Sequence, residues 1–203
     1  MDYKEINLNS YNKNAAVFSE YFKGLLDLER RPEFKKFISF LNGKRILDLG
    51  CGGGNHALWF KEQGLNVSCV DFSEKMIEMC KEKGLNAQLM DIEDLKFEEN
   101  SFDGIWAVTS LLHVPKDKIS NVVDKLSSIL RKKGIIYVVV KEGEGEEFIP
   151  DKQNHETKRF FSFWNKEEFL KIFKDKFNLI EFEKNKVGST IYLQAFFKNS
   201  KLT

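Results

Sequence analysis

The chain has few cysteines, no long apolar run and no surplus of either charge. Its three cysteines, Cys51, Cys69 and Cys80, fall in no metal-ligand spacing, and their odd number argues against a disulfide framework. Lysine and arginine together number 32 against 31 aspartates and glutamates, a net charge of +1. Composition therefore gives no general pull toward nucleic acid or a membrane surface, although it allows a local patch. No stretch approaches membrane-spanning length, and Met1-Asp2-Tyr3-Lys4-Glu5 carries no apolar signal segment. The expectation is a soluble, cytoplasmic protein with no membrane partner and no metal. No internal repeat is visible. A length of 203 residues is enough for a substantial core and is expected to form one domain.

What the chain does have is one unusual stretch, Arg45-Ile46-Leu47-Asp48-Leu49-Gly50-Cys51-Gly52-Gly53-Gly54-Asn55. Its first half reads as a buried strand. Its second half holds four glycines in five positions, which no ordinary strand or helix interior tolerates. His56-Ala57-Leu58-Trp59-Phe60-Lys61-Glu62 then resumes a helix-compatible pattern. Strand, glycine turn and helix open a nucleotide-binding α/β unit: glycine lets the backbone pass close to a ligand, and the first N–H groups of the helix face it.

The rest of the chain is consistent with that start. The first forty residues pattern as helices, through Ala15, Val17, Phe18, Tyr21, Phe22, Leu25 and Leu26 and then, after Pro32, through Phe34, Phe37, Ile38 and Leu41. Strands are expected at 45–50, 67–72, 87–90, 102–109 and 135–140. Helices fall between them at 55–63, from the Ser73 N-cap to about Lys83, and from Pro115-Lys116-Asp117 to a Lys132-Lys133-Gly134 close. A polar segment, Lys141–Lys158, leads into the aromatic run Arg159-Phe160-Phe161-Ser162-Phe163-Trp164. A helix over about 165–177 then precedes strands at 179–182 and 190–197, close enough together to form a hairpin. The expected fold is α/β: a doubly wound, Rossmann-like seven-stranded sheet, mostly parallel, with an antiparallel C-terminal hairpin and helices on both faces.

Five pieces in this order resemble the class I S-adenosylmethionine-dependent methyltransferases. They are Leu47–Gly54, Val70-Asp71-Phe72-Ser73, Met90-Asp91-Ile92-Glu93-Asp94-Leu95, Phe102-Asp103-Gly104-Ile105-Trp106-Ala107, and Leu130 to Gly134 leading into a strand. The resemblance implies S-adenosylmethionine as cofactor and S-adenosylhomocysteine as product. It implies a helical cover at 1–43, a cofactor-binding core at 44–143, and a substrate-side segment with the hairpin at 144–203. In the turn, Gly50, Cys51, Gly52 and Gly54 face the methionyl portion and the ribose, and Asp48 orients the turn or the ligand's amino group. Asp71 accepts the ribose hydroxyls, Phe72 covers the adenine, and Met76 joins them from the following helix. Asp91 accepts from the adenine amino group, the Ile92 backbone N–H donates to the ring, and Ala107 and Val108 meet the methionyl end. Cys51 itself reads as packing rather than as a nucleophile, since no basic partner is identifiable in sequence.

A nicotinamide-dependent oxidoreductase shares the turn and the distal acid. Its G-x-G-x-x-G pattern fails here, because the third glycine falls on Asn55 counted from Gly50, or on Ala57 counted from Gly52. Methyl transfer is an in-line displacement that needs a base only when the acceptor must lose a proton. His113, just beyond the fourth strand, is the catalytic candidate, with loop shaping as its alternative role. Tyr11 and Tyr21 are candidates to close over the cofactor from the substrate side. Arg159, set against aromatic rings, is the candidate to recognise a negative group on the substrate, within a Lys141–Trp164 segment expected to form the acceptor side. A small-molecule acceptor is the first reading. A methyltransferase of the tRNA wobble-uridine carboxymethyl group and a non-catalytic S-adenosylmethionine-binding regulatory subunit are the alternatives.

Overall fold

The computed structural model describes residues 2–20, 31–152 and 154–201 in full, and residues 21–24 as backbone. The five βα repeats read from the sequence form a sheet whose order is β3-β2-β1-β4-β5-β9-β8. Its parallel strands are β1 (Arg45–Leu49), β2 (Asn66–Asp71), β3 (Asn86–Leu89), β4 (Phe102–Val108) and β5 (Leu130–Lys141). β8 (Phe177–Val187) and β9 (Thr190–Asn199) form the antiparallel hairpin, and β9 pairs with β5 from Ile135↔Lys198 to Lys141↔Tyr192. The hairpin therefore turns, at Gly188-Ser189, beyond the carboxyl edge of β5.

Alternation along the buried strands sends side chains to two cores. Ile105, Ala107, Ile136, Val138 and Val140 lie in one core with Leu126 of α6 (Ile119–Ile129) and Phe169 and Phe173 of α7 (Lys166–Phe173). Trp106, Tyr137 and Val139 face the other. There they meet Phe34 and Phe37 of α3 (Glu33–Phe40), Phe60 of α4 (Asn55–Glu62) and Ile77 and Cys80 of α5 (Glu74–Glu82). Phe34 is 1% and Phe37 0% exposed, so truncating either to alanine would cost about 3–5 kcal/mol.

Local signals explain most boundaries. Ser73 caps α5 by accepting from the Met76 N–H, at 3.3 Å, and Asn165 and Glu168 form a capping box on α7. Three boundaries differ. α7 ends at Phe173, and residue 177, expected at the end of that helix, already opens β8. α6 begins only at Ile119, because Pro115 to Lys118 forms a turn whose Pro115 carbonyl accepts from Lys118 and Ile119, at 3.0 and 3.1 Å. Nor do Lys132-Lys133-Gly134 cap a helix. α6 ends at Ile129, Leu130 is already paired with Phe102 in β5, and Lys133 takes a left-handed φ of 61° within an irregular start to the strand. Burial of Leu130 decides this: it is fully buried in the sheet core.

Two further elements complete the cover. α1 (Tyr3–Lys13) and α2 (Ala15–Gly24) lie at the N-terminus. The polar segment Lys141–Lys158 contains β6 (Glu146–Pro150), paired antiparallel with β7 (Lys158–Ser162). α1 packs against β7: Asn7 accepts from the Phe160 N–H at 2.7 Å, and Ser10 donates to Asp151 at 2.6 Å.

Candidate functional site

A cavity of about 870 Å³ opens at the carboxyl edge of the parallel strands, in front of the glycine turn. That volume lies within the range of small-molecule sites. The turn is built for close approach. Gly50 and Gly52 have φ of 69° and 52°, in the left-handed region that favours glycine. A Cβ on Gly50 would strike Ser110 Cβ at 2.5 Å, whereas a Cβ on Gly52 would meet no described atom within 4 Å. The Gly50 and Cys51 N–H groups both donate to the Val70 carbonyl at 2.9 Å, which ties the turn to β2.

Two buried polar atoms face this cavity without a partner among the described residues: Asp48 Oδ2 and Ser110 Oγ. The Asp48 carboxyl keeps one bond, from the Ala57 N–H in the first turn of α4. Burial, followed by the neighbouring Cys80 and Asp71, raises its pKa well above the carboxylate range. An orphaned buried carboxyl is costly, and its unused oxygen suits an ammonium donor. Asp71, at the end of β2, has one oxygen fixed by the Gly52 N–H at 2.9 Å and the other by the Ser73 N–H at 3.0 Å. Burial raises its pKa to about 6 against those two bonds. Each oxygen retains a lone pair for a hydroxyl donor.

Of the residues expected at the site, Asp48, Gly50, Cys51, Gly52, Asp71, Phe72, Met76, Asp91, Ile92, Val108, His113 and Tyr11 line this one cavity. Gly54 and Ala107 do not. A Cβ on Gly54 would run into Leu85 and Cys80, and Ala107 is sealed in the sheet core. Tyr21 lies on α2, and its side chain is outside the described residues. Asp91 is also tied to the helical cover. Its two oxygens already accept from Lys4 Nζ at 2.7 Å and from the Glu93 N–H at 2.9 Å, in a charged knot that pins α1 over this end.

His113 and Arg159 depart most from expectation. Both ring nitrogens of His113 are taken. Nδ1 lies 2.7 Å from the Phe160 carbonyl, which can only accept, so Nδ1 carries the proton and Nε2 accepts from the Tyr11 hydroxyl at 2.7 Å. Burial and the nearby Arg159 charge push the His113 pKa down to about 3. No lone pair is left over for a substrate proton. Arg159 stays outside the cavity lining. Its Nε donates to Asp151 at 2.6 Å, its Nη1 to Tyr11 at 3.3 Å, and its Cζ lies 4.5 Å from the Phe18 ring centroid. Asp151 is wholly buried, so this ion pair fastens α1 and α2 to β7. Among the described residues of 141–164, only Lys152 reaches the cavity.

The far half of the cavity was not read from the sequence. It is lined by Arg31, Glu33, His56, Tyr192, Gln194 and the hairpin tip 185–190. His56 offers a single kind of contact. Its Nδ1 accepts from Trp106 Nε1 at 3.0 Å, so its Nε2 bears hydrogen, and burial with the Arg31 charge lowers its pKa to about 3. Thr109, at the end of β4, holds a φ of 54°, a strained conformation for a β-branched residue that often marks a functional site. His56 could have been found as the second residue after the glycine run. The hairpin tip had no such signal.

Known proteins agree with this picture. Residues 46–134 match the family model described as a methyltransferase domain. A ubiquinone biosynthesis O-methyltransferase of Xylella fastidiosa is 32% identical over 105 residues, which cover 48% of this chain and 42% of that protein. The chain thus spans under half the length of the curated relatives it matches first. Among solved structures, DhpI in complex with SAH superposes with a TM-score of 0.76 at 18% identity, covering 96% of each chain. The 1,6-didemethyltoxoflavin-N1-methyltransferase of Burkholderia thailandensis gives 0.67 at 18% identity, over 95% of this chain and 89% of that one. Residues 46–134 thus match the methyltransferase-domain model, and the fold is similar to that of these solved structures.

Proposed function

We propose that the chain is an S-adenosylmethionine-dependent methyltransferase that acts on a small-molecule acceptor by direct in-line transfer. The observation that carries this reading is the unpartnered Asp48 Oδ2, buried beside an open Gly52 and sharing one cavity with Asp71. Those residues fit the cofactor. Asp48 takes its ammonium group, Gly50 and Gly52 admit its chain, and Asp71 accepts its ribose hydroxyls. When bound, the cofactor supplies a methyl group already activated on a sulfonium, so this chain's residues need only orient the reactants and exclude water. A small acceptor is supported by the cavity volume and by the similar proteins, which include a ubiquinone biosynthesis O-methyltransferase and a 1,6-didemethyltoxoflavin-N1-methyltransferase. The acceptor enters from the His56 and Tyr192 side, where a fixed N–H donor can align an oxygen or ring nitrogen.

The test has two stages. Calorimetry should find binding of S-adenosylmethionine and S-adenosylhomocysteine but not of NAD. A radiolabelled-methyl assay against cell extract separated into small molecules, RNA and protein should then place the label in the small-molecule fraction. Label in RNA would support a tRNA enzyme instead. Cofactor binding without labelling of any fraction would point to a regulatory subunit.

A further inference from the structure

The three cysteines, scattered in sequence, meet behind the glycine turn. Cys51 sits in the turn, Cys69 on β2 and Cys80 in the last turn of α5. Cys51 Sγ lies 3.7 Å from Cys80 Sγ, and Cys69 is buried in the same core. Cys51 also lines the cavity, whereas Cys69 and Cys80 are wholly buried. Both Cys80 and Cys51 donate to the same acceptor, the Gly52 carbonyl, at 3.1 and 3.6 Å. The N–H of that same residue holds Asp71 at 2.9 Å. Gly52 is thus bound through its carbonyl to two thiols and through its N–H to the acid of the proposed ribose contact.

We propose that Cys51 and Cys80 are an oxidisable pair, and that their disulfide weakens the turn's hold on its ligand. A disulfide needs its sulfurs about 2.05 Å apart, so the two must close from 3.7 Å. Closure removes both S–H donors from Gly52 and draws the turn toward α5. The oxidant is a peroxide small enough to enter the empty cavity beside Cys51. The thiolate of the pair attacks one peroxide oxygen. The O–O bond breaks, the sulfur loses two electrons to become a sulfenic acid, and hydroxide leaves and takes the proton of the second thiol. The resulting thiolate displaces hydroxide from the sulfenic sulfur, the S–O bond breaks and the S–S bond forms. Overall, two thiols and one hydrogen peroxide give one disulfide and two waters. Cys51 lines the cavity and so meets the peroxide first, and Cys80, 3.7 Å away and wholly buried, is the resolving thiol.

The effect on ligand rests on the cofactor reading above; the chemistry of the pair does not. The purified chain, reduced and desalted, is treated with hydrogen peroxide, denatured and alkylated with iodoacetamide. One alkylated cysteine, a mass lower by two hydrogens before alkylation, and a peptide joining Cys51 to Cys80 are expected, all reversed by dithiothreitol. Cys69→Ser should keep the link and Cys80→Ser should abolish it. Three alkylated cysteines after peroxide, or a link through Cys69 in the native chain, overturns the pair. Calorimetry with S-adenosylhomocysteine should show the oxidised chain binding at least about fivefold more weakly than the reduced one. Equal affinity overturns the effect on the turn. A reduced chain that binds no S-adenosylhomocysteine refutes the cofactor reading, and the peptide map still decides the pair.

Discussion

Asp48→Asn separates a residue held for a ligand from one held for the fold. The native carboxyl is 3% exposed, receives the Ala57 N–H, and leaves Oδ2 unpaired. An asparagine of the same shape keeps the Ala57 bond and cannot ionise in the buried site. Without ligand, the variant should therefore melt at or above the native temperature. Asp48 has its folded pKa raised, so its contribution to stability is full below the unfolded value of 3.8 and is lost as pH rises through the folded value. Native Tm should accordingly lose more than the variant's between mildly acid and neutral pH. Ligand reverses the preference. One charge-assisted hydrogen bond to an ammonium is worth about 1.5–3 kcal/mol, so affinity for S-adenosylhomocysteine should fall roughly 10- to 150-fold. Native binding should also release a proton as the carboxyl ionises against the ammonium. Calorimetry in two buffers of different ionisation enthalpy reads this directly, and Asp48→Asn should show none. A variant that binds normally and melts lower would refute the assignment and make Asp48 a structural cap on α4.

Asp71, with its pKa raised by burial to about 6, should make S-adenosylhomocysteine binding weaken as pH falls below about 6, and Asp71→Ala should cost at least roughly tenfold in affinity and lose that dependence. Arg159→Ala leaves the buried Asp151 carboxylate unpaired, so thermal unfolding should show a loss of about 3–5 kcal/mol while the affinity of the folded variant for S-adenosylhomocysteine stays within about twofold. The pH profile of kcat/KM should carry no imidazole titration between about pH 5 and 8, because His113 and His56 are both pushed down to about 3; His113→Ala should lower the rate by loosening Tyr11 without shifting that profile. Their depressed pKa values also give stability that is present above about 6.5 and lost as pH falls toward 3, which acid melting curves can detect. His56→Ala should raise KM for the acceptor and leave S-adenosylhomocysteine affinity unchanged, as competition calorimetry can check.

The sheet was legible because each parallel strand is short, apolar and bounded by glycine or an acid. β1, β2, β4 and the apolar half of β5 fall within a residue or two of their expected limits. The misreadings lie where local chemistry and tertiary burial compete. Lys132-Lys133-Gly134 has the residues of a helix end, but Leu130 is needed in the sheet core, and the helix stops to supply it. Phe160 and Phe161 fall in the segment expected to form the acceptor side of the pocket. They are the buried residues of β7, whose partner β6 is polar enough to pass for loop.

The site divides along the same line. Residues facing the turn were readable because a backbone approach demands glycine and a strand end places its acid next to it, whatever the rest of the chain does. Contacts made between distant segments left no such trace. Arg159 attracts notice as a cation among aromatics, yet its partner, Asp151, is eight residues earlier and its stacking ring, Phe18, lies on α2. The far half of the cavity is more extreme still: His56 follows the turn, but the wall opposite it comes from the tip of a C-terminal hairpin. That tip reaches the cavity only because β9 runs antiparallel to β5 and turns beyond its carboxyl edge. Nothing in the composition of Asn185–Thr190 announces a ligand. Its position does, and position is set by the pairing of Lys141 with Tyr192, forty-four residues before the hairpin tip on one strand and two residues after it on the other. The half of the cavity proposed to receive the acceptor is therefore the half that depends on long-range pairing, which is why the turn could be read from the sequence and that wall could not.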